Sequence, residues 1–159
     1  MIGFHNALQC QTTWTFDKKA VRLSAHLRGS PCRAYASDMK VNASHKGSEV
    51  FYYPDVMVAC NEPGQNQYVE EQPTIIAEVL SSTTEARDRM EKLAAYTAIK
   101  GLREYVLIHQ DKMAVDLYQN TASGWEVIRL KQETDILQLG SIDFSVSLRA
   151  LYEDVIDLI

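Results

Sequence analysis

The sequence predicts an α/β protein, a central mixed β-sheet flanked by helices. Two short apolar runs at residues 74–80 and 102–109 bracket a helix-like run at 83–99. Strand–helix–strand order of this kind implies a right-handed parallel crossover. Further short runs rich in Val, Ile, Phe and Tyr lie on both sides and suit strands. A length of 159 residues, 46% apolar and 23% charged, fits one domain with one core.

Taken in order, residues 14–27 place Phe16, Ala20, Leu23 and Leu27 on one helical face, with Lys18, Lys19 and Arg22 elsewhere on the surface. Gly29, Ser30 and Pro31 stop that helix. Residues 32–41 alternate in part and read as a strand, followed by a polar turn at 42–49. Residues 50–59 read as one buried strand, with Pro54 marking an irregularity because it lacks an amide hydrogen. Residues 61–72 form a polar loop. The helix at 83–99 opens on a capping box, Ser82 to Glu85, and stops at Gly101. Met90, Leu93 and Ala94 are the expected sheet-facing side of it. Residues 114–118 and 125–130 suggest two more strands, 136–139 and 142–146 edge structure, and 148–158 a C-terminal amphipathic helix.

Net charge is −5, which argues against a nucleic-acid binder of uniformly basic surface. The charge is uneven. The first fifty residues hold seven Lys/Arg against three acids, and the remainder hold nine against eighteen. A basic face beside an acidic pocket suits an enzyme acting on a polyanion, but the charge pattern alone favours a solvated helix with scattered surface charge. No apolar run approaches the roughly 20 residues that span a bilayer. Residues 1–7 lack the pattern of a secretory signal. Cys10, Cys32 and Cys60 are odd in number with no close pair, and read as reduced thiols in a cytoplasmic protein.

Chemistry concentrates in the middle of the chain. Asp55 follows Pro54, and Glu78 sits inside an apolar strand, where an ionised carboxylate needs a cation or donors. Two carboxylates converging at a sheet end repel unless a divalent cation bridges them. Oxygen donors with open water positions suit Mg²⁺ or Mn²⁺, and the carbonyl of Val79 is a third candidate ligand. Asp88, Lys92 and Tyr96 fall at i, i+4 and i+8, one stripe of the helix. Taken alone, Asp88 and Lys92 are an ordinary exposed ion pair worth about 0.3–0.5 kcal/mol. Beside the two carboxylates, Lys92 becomes a candidate to support an attacking water. Trp14, Trp125, Tyr52, Tyr53 and Tyr68 either stack on bases or pack in the core and its edges. No phosphate-binding glycine loop and no nucleophile elbow is present.

The run Tyr53-Pro54-Asp55-Val56, then Ala77-Glu78-Val79-Leu80-Ser81-Ser82-Thr83-Thr84, Asp88, Lys92, Tyr96 and Gly101-Leu102-Arg103-Glu104-Tyr105 resembles the Uma family. Ser37-Asp38-Met39-Lys40-Val41 is similar to that family's preceding strand. The family belongs to the restriction-endonuclease-like superfamily with the PD-(D/E)xK signature. The resemblance implies a restriction-endonuclease-like fold over a single domain, 1–159, with the family's N-terminal segment missing. It implies a Mg²⁺-dependent (or Mn²⁺-dependent) endonuclease cutting phosphodiester bonds in DNA. Asp55 and Glu78 would hold the metal. Leu80 stands in the place of the usual motif lysine, which Lys92 would replace from the helix, positioned by Asp88. Asp38 and Tyr96 are possible additional site residues. Lys18, Lys19, Arg22 and Lys40 are the expected phosphate contacts, and a homodimer would supply one site per strand. No organic cofactor and no membrane contact is expected. Two rivals stay open: a catalytically impaired nucleic-acid-binding or accessory protein that keeps the fold, and a purely structural interaction domain.

Overall fold

The crossover expected from the sequence organises the sheet. The computed structural model describes residues 20–80 and 86–155, except the side chains of residues 87 and 88. Strand β6 (Ile75–Leu80) and β7 (Glu104–His109) are parallel neighbours, joined through helix α2 (Ala86–Thr97). They form the centre of a six-stranded mixed sheet in the order β1-β4-β6-β7-β8-β9. Its other strands are β1 (Arg33–Ala36), β4 (Val56–Ala59), β8 (Val115–Thr121) and β9 (Gly124–Leu130), all paired antiparallel. The β8–β9 hairpin is closed by Ala122 and Ser123, with Gly124 at φ 111°, backbone that favours glycine.

Alternation along the central strands sends side chains to two cores. Val58, Ile75, Val106, Ile108, Val115 and Leu117 face one side, packing against Leu27, Leu137, Leu139, Leu148, Leu151 and Tyr152. That side is covered by helical residues 20–26 (α1), the hairpin of β10 (Ile136–Leu139) and β11 (Phe144–Ser147), and helix α3 (Leu148–Tyr152). A short 3-10 turn, Gly140–Ile142, joins the two hairpin strands and is held by Glu104, which accepts from the Ser141 amide at 3.2 Å and from its hydroxyl.

Met57, Ile76, Leu80, Tyr105 and Leu107 face the other side and pack against Val41, Tyr96, Ile99 and Leu102. Helix α2 covers this side together with a small sheet of β3 (Phe51–Tyr52), β2 (Lys40–Asn42) and β5 (Val69–Glu70), in the order β3-β2-β5. The exposed end of α2 is tied down by Trp125, whose indole donates to the Thr97 carbonyl at 3.1 Å.

Several expectations are corrected. The single strand read over 50–59 is two strands in two sheets. β3 pairs with β2, and β4 pairs with β1 and β6. The break falls at Tyr53-Pro54-Asp55, where proline can donate no ladder bond. The strand read over 32–41 is likewise split, turning at Ser37 with φ 40°. The 61–72 loop contains β5. On α2, Leu93 packs into the core, but Met90 is 61% exposed and Ala94 is exposed. The sheet-facing side is that of Lys92, Leu93 and Tyr96. Cys32 and Cys60 are not free thiols but a disulfide. Arg33 opposes Ala59 in the β1–β4 ladder, so one further step sets Cys32 opposite Cys60. The helix expected over 148–158 stops at Tyr152, with Glu153 as its C-cap. The capping box at 82–85 and the residues beyond 155 lie outside the described residues.

Candidate active site

The β3–β4 break and the C-terminal half of β6 meet at one point. Val56 opposes Ala77, so Asp55 emerges beside Glu78 just where the β4 ladder ends. The Asp55 carboxylate accepts a hydrogen bond from the Val79 amide at 2.7 Å, Oδ2 taking the place of a ladder carbonyl. A strand residue presents its N–H and C=O along the same edge. The Val79 carbonyl therefore lies on the edge that Asp55 occupies. The Ser37 amide donates to the backbone carbonyl of Asp55 at 3.1 Å, which sets exposed Asp38 one residue from the same junction.

Glu78 points to the α2 side, as its place between Ile76 and Leu80 requires. It is buried, and its partners come from two successive turns of α2. Lys92 Nζ lies 3.3 and 3.4 Å from the two carboxylate oxygens, and the Tyr96 hydroxyl donates to Oε1 at 2.7 Å. The i, i+4 spacing aims both at one acceptor. Tyr96 is fully enclosed, edge-on to Tyr52 and Tyr105 at centroid distances of 5.4 and 5.1 Å. Tyr52 also lies under the Lys92 ammonium, 5.8 Å from it. This aromatic wall fixes the height at which the lysine and hydroxyl meet the carboxylate.

Burial raises the Glu78 pKa above the ordinary glutamate value. Lys92 and the Tyr96 hydroxyl pull it back, and the charge of Asp55 pushes it up again. Burial also drives the Tyr96 phenol far above its usual range, with the negative charge of Glu78 adding to it, so the hydroxyl stays a donor. Two carboxyl groups thus share one ammonium in a partly dry setting, an arrangement that a further cation would suit.

Asp55, Glu78, Lys92, Tyr96 and the Val79 backbone come together. The other expected residues scatter. Arg22 lies on the opposite side of the sheet, where its guanidinium pairs with Glu153 and reaches the Ala150 carbonyl. Lys40 sits on the small sheet with its ammonium 5.6 Å from the Tyr53 ring centroid. Lys18, Lys19 and the Asp88 side chain lie outside the described residues. Leu80, in the motif-lysine position, is a core residue, buried beside Tyr96 and Ile99. A cleft of about 950 Å³ opens at the far end of the sheet, lined by Thr74, Glu104, Ser141 and the disulfide, and shares no residue with this cluster.

The class of protein that this fold and cluster define is a mixed α/β protein whose six-stranded sheet carries two acids and a helix-borne lysine near one strand end. The chain belongs to the Uma2 family, whose model, described as "Putative restriction endonuclease", matches residues 10–149. It is 32% identical over 139 residues to the uncharacterized protein slr1290 of Synechocystis sp., covering 84% of this chain and 72% of that one. With a second uncharacterized protein of that organism, sll1609, it shares 39% identity over 103 residues, or 62% of this chain and 57% of the relative. Among solved structures, a crystal structure described as a "putative nuclease belonging to DUF820" from Anabaena variabilis superposes with a TM-score of 0.65. That match covers 98% of this chain and 84% of the other at 17% identity, a likeness of fold.

Proposed function

We propose that this protein is a metal-dependent endonuclease that hydrolyses phosphodiester bonds in DNA. The observation that carries the reading is the meeting of Asp55, from the β3–β4 break, with the strand that bears Glu78, through its bond to the Val79 amide, and the Lys92 ammonium 3.3 Å from Glu78. The donor set fits a hard divalent cation such as Mg²⁺ or Mn²⁺: carboxylate oxygens of Asp55 and Glu78 and the Val79 carbonyl, with no sulfur or imidazole among them. Such an ion supplies positive charge that polarises a phosphoryl oxygen and acidifies water.

The chain's own residues do the rest. The Val79 amide holds one oxygen of Asp55, leaving the other for a ligand. Tyr96 fixes the rotamer of Glu78 through Oε1. Lys92 brings a second positive charge to the point where the scissile phosphate would sit, and there it orients a water and offsets charge built up in the transition state. Leu80 and the tyrosine wall exclude bulk water from one side, which strengthens each of these interactions.

The test is cleavage of labelled DNA by purified protein in Mg²⁺ and in Mn²⁺, with chelator as control. Expected is metal-dependent cutting, abolished in Glu78→Ala and Lys92→Ala. Absence of any cutting of DNA with either metal would remove the reading.

A further inference from the structure

Among the described residues the large aromatics that stay exposed are Phe51, Tyr53 and Tyr68, at 45%, 55% and 66%. All three lie on the β3-β2-β5 sheet or one residue from it. Alternation explains two of them. Tyr52 turns inward to the tyrosine wall, so Phe51 and Tyr53 on either side turn outward. Lys40 completes the face. Val41 opposes Tyr52, so Lys40 comes opposite Tyr53, and its ammonium sits 5.6 Å from that ring's centroid. On the other side the Lys40 amide donates to the Tyr68 carbonyl at 3.2 Å, a backbone bond that ties β2 to the start of β5.

This face is joined to the carboxylate centre by the chain itself. Tyr53 precedes Asp55 by two residues, a backbone separation of at most about 7 Å. The inner side of the same sheet touches the centre through Tyr52, which lies under the Lys92 ammonium.

The geometry points to a stacking platform for unpaired bases: Phe51 and Tyr53 take successive bases of a single strand, Lys40 takes a phosphate, and the strand runs on to Asp55 and Glu78. The inference rests on the nuclease reading for its substrate and adds that the substrate is single-stranded or locally unpaired. Three arguments favour this occupant. Aromatic rings beside a cation match the alternating π-faces and negative charges of a nucleic-acid strand. The bases of an intact duplex have their faces covered by one another, so open rings reward only unpaired ones. Half-exposed rings next to the site cost apolar exposure that packing alone does not require, since Tyr52, Tyr96 and Tyr105 already fill the wall.

The experiment is fluorescence anisotropy with a labelled oligothymidylate of about twelve nucleotides, within the usual range of single-strand sites. A duplex of the same length is run in parallel, with Ca²⁺ replacing Mg²⁺ to hold back cleavage. Expected is tighter binding of the single strand, weakened about ten-fold by Tyr53→Ala and by Phe51→Ala and retained in Tyr53→Phe, which keeps the ring. Equal or better binding of duplex, or alanine variants that bind the single strand like the parent, would overturn the platform. Cleavage is read separately. Metal-dependent cutting of duplex that is unaffected by Tyr53→Ala overturns the platform and leaves the nuclease reading standing. Ring-dependent single-strand binding with no cutting under any metal supports the platform and overturns the nuclease reading.

Discussion

The Asp55 carboxylate and the Val79 amide are 2.7 Å apart, so the acid that ends one strand break also closes the hydrogen-bond ladder of the strand bearing Glu78. On the proposed reading, structure and chemistry therefore share one side chain. Asp55→Ala strands the Val79 amide without an acceptor. The expected loss is roughly 1–2 kcal/mol, the lower part of the range for an orphaned donor because Val79 is only half-buried. Asp55→Asn retains an acceptor oxygen, and more of the stability, while removing the charge. Urea unfolding separates the two variants, and both should lose metal-dependent cleavage. Equal stability of the parent and Asp55→Ala would show that the Val79 amide finds its partner elsewhere.

The crossover and most of the site were readable because they are local. The β6–α2–β7 order follows from runs of adjacent residues, and the four-residue spacing of Lys92 and Tyr96 already puts them on one stripe of a helix. Glu78 stood out because an acid inside an apolar strand demands partners. What was hidden depends on pairing between distant segments. Proline at position 54 marked an irregularity, but nothing nearby says that Phe51–Tyr52 joins one sheet and Val56–Ala59 another. Periodicity also misjudged the buried side of α2. Lys92 looks solvent-facing as a residue type, yet its target, Glu78, lies beneath the helix, so Met90 and Ala94 were left outside. The disulfide was illegible for the same reason as the sheet handover, since it follows from the β1–β4 register.

That disulfide carries its own prediction. Cys32 and Cys60 are separated by 28 positions. A cross-link over such a loop removes unfolded-state entropy worth about 3–4 kcal/mol. Reduction with dithiothreitol, or the Cys32→Ala/Cys60→Ala pair, should lower stability by that order and leave Asp55 at the opposite end of β4 undisturbed. Thermal unfolding with and without reductant measures it, and thiol titration under denaturing conditions checks the pairing. Three reactive thiols in the oxidised protein would contradict the bond.

Asp135 gives a pH signature away from the site. Its carboxylate accepts from the amides of Gln132 and Lys131 at 2.9 and 2.8 Å, in the turn before β10. Those amides, Gln132 foremost, hold its pKa below the ordinary aspartate value. A carboxyl whose folded pKa is depressed adds stability above its unfolded pKa and loses it as pH falls through the folded one. The melting temperature should therefore decline as pH drops through and below the ordinary aspartate range, with a shallower decline in Asp135→Asn. Parallel profiles for the two proteins would rule the turn out as a source of acid sensitivity.

Lys92 and Glu78 should show opposite effects singly and together. The lysine side chain is 24% exposed and the glutamate 8%, so the pair is largely dry. Lys92→Met leaves the buried carboxylate facing Asp55 with only the Tyr96 hydroxyl to steady it. The expected cost is about 2–4 kcal/mol, trimmed below the value for a fully buried pair by the lysine's exposure. Glu78→Gln in the Lys92→Met background removes the stranded charge and should restore much of that loss, because a neutral amide still accepts from Tyr96. Cleavage follows a different order, since stability returns in the double variant and activity does not. Denaturant unfolding of the four proteins in the cycle, set against cutting rates in Mg²⁺, distinguishes a catalytic ion pair from a merely structural one. A structural pair would recover both properties together.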